Sequence, residues 1–272
     1  MSIGTAVLLG VIQGFTELFP FSSLGILVIL PRVTHLLVPT IGPRYLPFLV
    51  ALHLGTALAL LLYFLPEWLT LIRGALRYLR GHPNSDGRIF WLIVLASIPA
   101  GVTGFLLKAP LSRLFGHPLP AAFFLIVNGA LLWLGDRWHR RKRPHTVGQL
   151  TPRKAWIIGC FQILALIPGL SRSGSTMVGG LSLGLSYSEA ARFSFLLATP
   201  IIFAASLVEL PKLHGGMHGL LGPAVAGGIA AGLAAWLSTR FLLQYFKMHR
   251  LHALAVASMA MGVLSLIAIG FH

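Results

Sequence analysis

Two apolar stretches of this chain break at clusters of polar residues, and neither can be an ordinary membrane helix. The first reads Gln13-Gly-Phe-Thr-Glu17-Leu-Phe-Pro20-Phe-Ser22-Ser23-Leu-Gly25, and the second Pro168-Gly169-Leu-Ser171-Arg172-Ser173-Gly174-Ser175-Thr176. Short apolar runs flank each break, whereas a full span takes about 20 residues. Inside hydrocarbon, irregular backbone survives only where protein or a water-filled cavity satisfies its amides and carbonyls. Both breaks therefore predict the tips of re-entrant helix-loop-helix segments at a polar site. One tip brings a carboxylate, the other an arginine among hydroxyls and glycines, a pairing suited to phosphate chemistry.

Full spans are predicted at 46–65, 89–107, 121–136, 190–209, 220–243 and 251–271, and the two broken segments at 1–31 and 155–186. The chain is 56% hydrophobic and only 10% charged, which places it among polytopic helical membrane proteins. The expected fold class is all-α: an inverted repeat of two re-entrant segments plus six full transmembrane spans, in a single membrane domain 1–272 with halves at about 1–137 and about 154–272. The N-terminus lacks the basic region and cleavage site of a signal peptide, so the first segment is expected to stay. The single cysteine, Cys160, excludes an internal disulfide.

The formal charge of +15 does not indicate nucleic acid, because the basic residues gather in short loops between spans. Loops 67–88, 137–154 and 240–250 hold 14 of them, against 5 on the opposite side (Arg32, Arg44, Lys108, Arg113 and Lys212). The positive-inside rule then makes those three loops cytoplasmic and both termini external. Trp68, Trp91, Trp138 and Trp156 fall where interfacial anchors are expected. With this assignment the first re-entrant pair enters from outside and the second from inside, each followed by three full spans. Inverted repeats with broken helices place a binding site where the breaks meet.

Glu17 is the one carboxylate of six that lies deep in an apolar segment. A charge at membrane centre costs roughly 2.5–3.5 kcal/mol on insertion scales and therefore calls for a partner and a function. Gln13 lies one helical turn earlier on the same face, placed to orient Glu17 or a water, or to pack helix against helix. Ser22 and Ser23 follow Pro20 and either cap the next helix or, beside Glu17, offer a nucleophile. In the second break Gly169 and Gly174 allow a tight turn and close approach of backbone to ligand. A helix starting near Ser175 would aim its amides at an anion. Arg172 supplies a planar fork of donors matched to phosphate, and Ser171, Ser173, Ser175 and Thr176 add neutral donors. His53, inside an apolar span, is read as a packing residue or one supporting the site. The remaining histidines show no tight metal-ligand spacing.

At these motifs the chain resembles the undecaprenyl-diphosphate phosphatase family of the bacitracin-resistance type. Further segments carry the resemblance over nearly the whole length: Leu52-His-Leu-Gly55-Thr, Gly159-Cys-Phe-Gln162 and Phe193-Ser-Phe-Leu-Leu-Ala-Thr-Pro200. The resemblance implies hydrolysis of a C55 prenyl diphosphate to its monophosphate at the outer face of the bacterial inner membrane, with divalent-cation dependence. That would recycle the lipid carrier of the cell envelope, in support of cell-wall synthesis and antibiotic resistance. It also implies that Glu17, Ser23, Ser171, Arg172, Ser173 and Thr176 line the site. Two positions depart from the pattern: many members carry glutamate where this chain has Gln13, and histidine where it has Ile26.

The leading expectation is a membrane phosphatase in which Glu17, Ser23 and Arg172 are catalytic. Gln13, Ser22, Ser171, Ser173, Gly174 and Thr176 would bind substrate, with His53 behind them. Glu17 would act as base for water or Ser23, or would hold Mg²⁺ or Ca²⁺, ions that take oxygen ligands. The expected partners are a polyprenyl diphosphate lipid and the membrane, with a second copy of the chain as a candidate. The alternative is a polyprenyl-phosphate carrier or flippase, which the inverted repeat and Ile26 favour.

Overall fold

Leu18 ends the first helix because Phe19, which precedes Pro20, takes an extended conformation (ψ 147), as a residue before proline must. The computed structural model describes residues 1–34, 45–107, 117–139, 144–209 and 221–270. Residues Ile3–Leu18 form α1, whose N-terminus Ser2 caps by accepting from the Thr5 amide at 3.1 Å. After the break come α2 (Ser23–Thr34) and α3 (Tyr45–Tyr63), then α4 (Leu65–Leu79), with Pro66 in its first turn. The chain continues through α5 (Ser85–Leu106) and α6 (Pro118–His139). The second broken segment is α7 (Pro152–Ile163), a 3₁₀ turn at Leu164–Leu166 and α8 (Arg172–Ser182). Ile167 is extended before Pro168, and Gly169 turns the chain at φ +99, where a side chain would be strained. Then follow α9 (Tyr187–Glu209), α10 (Leu221–Met248) and α11 (His252–Gly270).

The architecture is all-helical, with no strand among the described residues. Among the described residues five helices, α5, α6, α9, α10 and α11, are long and apolar enough to cross a membrane, or six if α3 and α4 count as one span bent by 72°. Close backbone approach, made possible by small residues, seats the helices. A Cβ on Gly10 or Gly14 of α1 would collide with the α10 carbonyls of Gly227 and Ala231, and one on Gly159 of α7 with the Ala96 carbonyl of α5. So α1 lies on α10, α7 on α5 and α6 on α11, while α8 is inserted between α6 and α9. The main core runs from Leu18 and Phe19 through Leu132, Met177 and Phe195.

Three expectations need correction. Residues 67–88 are not a plain loop, because α4 occupies most of the segment as an amphipathic helix whose charges mimic loop composition. Likewise α10 runs on to Met248, so Arg240 and Lys247 are helical. Trp68 is no interfacial anchor: it is buried, edge-on to Phe90 with ring centroids 6.4 Å apart. Arg44, Lys108, Arg113, Lys212 and the run Arg140, Arg141, Lys142 and Arg143 lie outside the described residues.

Hydrogen bonds tie the described ends of helices together on one side. Arg88 donates to the carbonyls of Gly148 (3.2 Å) and Leu150 (2.7 Å), and the Val147 amide donates to Glu189 at 2.8 Å. Arg192 of α9 grips Glu67 of α4 at 2.6 Å, and the Tyr187 hydroxyl donates to Asp136 at 2.7 Å.

Candidate active site

The two breaks meet inside the bundle, held face to face by buried polar side chains. Ser22 caps α2 by accepting from the Gly25 amide (3.1 Å) and also accepts from the Gly169 amide of the other break (3.1 Å). In return, Ser173 Oγ donates to the Phe19 carbonyl at 2.9 Å, with Ser171 Oγ 3.0 Å from Ser173 Oγ. Ser171 is the N-cap of α8, accepting from the Gly174 amide at 3.1 Å. The helix therefore starts at Arg172, one turn earlier than the sequence suggests. The Gly174 amide, expected to help cradle an anion, instead closes on Ser171.

Asn128 of α6 completes the joint, and sequence reasoning missed it. Its Nδ2 donates to the Pro20 carbonyl (2.8 Å) and to Ser258 Oγ (3.0 Å), while its Oδ1 accepts from the Ser171 amide (2.9 Å). One fully buried amide thus bridges both breaks. The signal was present, since a lone asparagine in an apolar span must find hydrogen-bond partners somewhere. Thr176 was anticipated, but not its partner Ser194 on α9, 2.7 Å away.

Across this joint the ionisable groups converge. Glu17, on the last turn of α1, accepts at Oε1 from Arg172 Nη2 at 2.9 Å. At Oε2 it accepts from Ser23 Oγ at 2.6 Å and from Gln13 Nε2 at 3.0 Å. His53 of α3 stands behind, with Nε2 3.7 Å from Glu17 Oε2 and Nδ1 2.8 Å from the Leu49 carbonyl. Side-chain exposures of 8% for Glu17 and 11% for Arg172 put the pair beneath the protein surface, not on it. Ile26, on the first turn of α2, is partly buried against the main core.

A buried ion pair alone does not mark a site, since it can serve structure only. The unmatched atoms beside it are what distinguish this one. Arg172 Nη1 and Gln13 Oε1 are both buried without a hydrogen-bond partner among the described residues, an expensive arrangement unless a ligand completes it. They offer one donor and one acceptor at the same cluster. The Nη1 edge suits a phosphate oxygen, and Ser23 with Glu17 forms a hydroxyl–base pair at hydrogen-bonding distance. No group of three or more His, Cys, Asp or Glu side chains comes together among the described residues. A divalent ion would find one carboxylate, Glu17, and one neutral oxygen, Gln13 Oε1. That fits an ion of the Mg²⁺ type, which takes one or two protein carboxylates and fills its shell with water and substrate phosphate.

Comparison with known proteins covers the stretch that holds both breaks. The family described as "Bacitracin resistance protein BacA" matches residues 6–264. The chain is 48% identical over 247 residues to "Undecaprenyl-diphosphatase 2" of Burkholderia lata, covering 91% of this chain and 89% of the relative. It is equally similar, over the same length, to "Undecaprenyl-diphosphatase 1" of Burkholderia pseudomallei. "Undecaprenyl-diphosphatase" of Acidiphilium cryptum is 47% identical over 277 residues, covering 98% of both chains.

Proposed function

This chain belongs to the BacA family of bacitracin resistance proteins, and from that premise we propose that it dephosphorylates undecaprenyl diphosphate. The products are the monophosphate and inorganic phosphate. The observation that carries the assignment is the junction of Glu17, Ser23 and Arg172 between two broken helices, with the Arg172 Nη1 edge left without a partner among the described residues.

In this reading the diphosphate enters the joint while the prenyl tail stays against the bundle. Arg172 Nη1 binds the terminal phosphate, and its Nη2 stays on Glu17. Glu17 accepts the proton of the attacking hydroxyl, either Ser23 Oγ or a water in its place. The new P–O bond forms as the bond to the bridging oxygen breaks, and the leaving group is the prenyl monophosphate. Attack by water releases inorganic phosphate directly, whereas attack by Ser23 leaves a phosphoserine that a water then hydrolyses with Glu17 again accepting its proton. Charge spreading over the transferred phosphoryl group meets the guanidinium in a low-dielectric pocket, where such stabilisation is usually the largest catalytic contribution. A divalent ion, Mg²⁺ or Ca²⁺, would be held by Glu17 and Gln13 Oε1 and would neutralise phosphate charge. Ser22, Ser171, Ser173 and Asn128 keep the two breaks in register. Gly174 and Thr176 fix the first turn of α8.

The same proposal includes an inverted repeat. Gly10, Gln13, Ser22 and Gly25 recur at one constant spacing as Gly159, Gln162, Ser171 and Gly174. Both serines cap the next helix, and the packing of α1 on α10 has its counterpart in α7 on α5. With the basic loops in the cytoplasm, the protein lies in the bacterial inner membrane and its site opens outward. Single cysteines at Ser85 and Thr146, in a Cys160→Ala background, should then resist an impermeant thiol reagent on intact cells, while one at Ser2 reacts.

The deciding assay is phosphate release from undecaprenyl diphosphate by purified protein in detergent, with EDTA and metal add-back. Release that EDTA suppresses and metal restores supports the whole proposal, and release insensitive to EDTA removes only the ion. The specific observation favouring a carrier is Ile26, an apolar side chain at the position where the family resemblance implies histidine. Absence of release under every metal and lipid condition would give the carrier precedence.

A further inference from the structure

We propose that α4 is a docking surface for anionic lipid headgroups, lying in the headgroup region of the leaflet at the basic end of the bundle. The inference is independent of the hydrolysis reaction.

The helix is 15 residues long and leaves α3 at 72°. If α3 runs near the bilayer normal, α4 lies close to the membrane plane. Its residues divide into three faces at helical spacing. Trp68, Leu71, Gly74 and Ala75 are buried against the protein. There Gly74 meets the backbone of Gly87, and Asn84 Nδ2 donates to the Gly74 carbonyl at 3.0 Å. The Glu67–Arg192 pair fastens the other end. The helix is thus held rigidly.

The second face is an exposed apolar stripe of Leu65, Leu69, Ile72, Leu76 and Leu79, spaced alternately four and three residues apart. The third, beside it, carries Arg73, Arg77 and Arg80, all exposed and none in an ion pair among the described residues. Apolar and cationic stripes side by side match the boundary between acyl chains and headgroups. A second copy of this chain is a poor partner for the arginines. The sequence has 21 basic and only 6 acidic residues, and the acidic residue of α4 itself, Glu67, is already engaged. Phosphate-bearing lipids supply the missing negative charge.

Two measurements on the full chain in lipid nanodiscs test this. Nitroxides at Leu76→Cys and Thr70→Cys, in a Cys160→Ala background, report local accessibility in bilayers containing phosphatidylglycerol. The Leu76 site should be reached by oxygen and the Thr70 site by a water-soluble nickel chelate. Nickel access at both sites would put the helix in water, and protection of both from either reagent would mean protein covers it. Either result overturns the proposal. In the second measurement, phosphatidylglycerol competes with phosphatidylcholine for the purified protein, with retained lipid counted by native mass spectrometry. Each arginine removed among Arg73→Gln, Arg77→Gln and Arg80→Gln should lower the preference for the anionic lipid by roughly fivefold. An unchanged preference in a triple variant that keeps the wild-type melting temperature would equally overturn it.

Discussion

Asn128→Leu removes a side chain that bonds to both breaks while keeping the same branched heavy-atom skeleton. The Pro20 carbonyl and the Ser171 amide, bonded to Asn128 at 2.8 and 2.9 Å, lose their partner in a fully buried place. Ser258 Oγ keeps its bond to the Leu125 carbonyl at 2.9 Å, so it adds little. A buried polar group left unsatisfied costs about 1–3 kcal/mol, and two together about 2–6 kcal/mol. If that cost falls on the alignment of the breaks, the equilibrium ratio of molecules with Arg172 and Ser23 on Glu17 to those without drops roughly 30-fold at the low end. Phosphate release should therefore fall chiefly in kcat, along with a lower melting temperature in detergent. Ser258→Ala is the control: Asn128 Nδ2 keeps Pro20, and the change should stay within about 1 kcal/mol. A folded Asn128→Leu protein with wild-type turnover would refute the idea that this amide sets the site's geometry.

The remaining predictions concern the residues at the cluster itself. Arg172→Lys keeps the charge but cannot hold Glu17 with one nitrogen and offer a second planar donor to phosphate; near-normal phosphate release by this variant would count against the clamp. Glu17→Gln should abolish turnover while Gln13→Ala only weakens it, because Gln13 supplies one bond to the carboxylate at 3.0 Å and a neutral oxygen to the ion, whereas Glu17 supplies the base; equal losses would show that the roles are not divided this way. Ile26→His, placed on the first turn of α2, should raise turnover by no more than about 10²–10⁴-fold, the range open to a general acid or base. If only the histidine variant released phosphate, the native chain would be a disabled enzyme.

Much of this protein is legible in its sequence because the deciding forces are local. Apolar run length marks α5, α6, α9, α10 and α11. Pro20 and Pro168 force their preceding residues out of helix, and Ser22 and Ser171 cap the helices that begin just after them. Glu17 and Arg172 stand out because charge in an apolar segment is costly wherever the chain folds. Local reasoning failed where partners come from afar. Residues 67–88 have loop composition, yet packing against α5 and the Arg192–Glu67 pair make most of them helix. Nothing near Asn128 in the chain points to Pro20 or Ser171, and Trp68 looks like an anchor until Phe90 covers it. The sequence supplies a carboxylate and a guanidinium separated by 155 positions. Only the meeting of two broken helices brings them to 2.9 Å, because buried polar groups at each break have no water to turn to and satisfy one another.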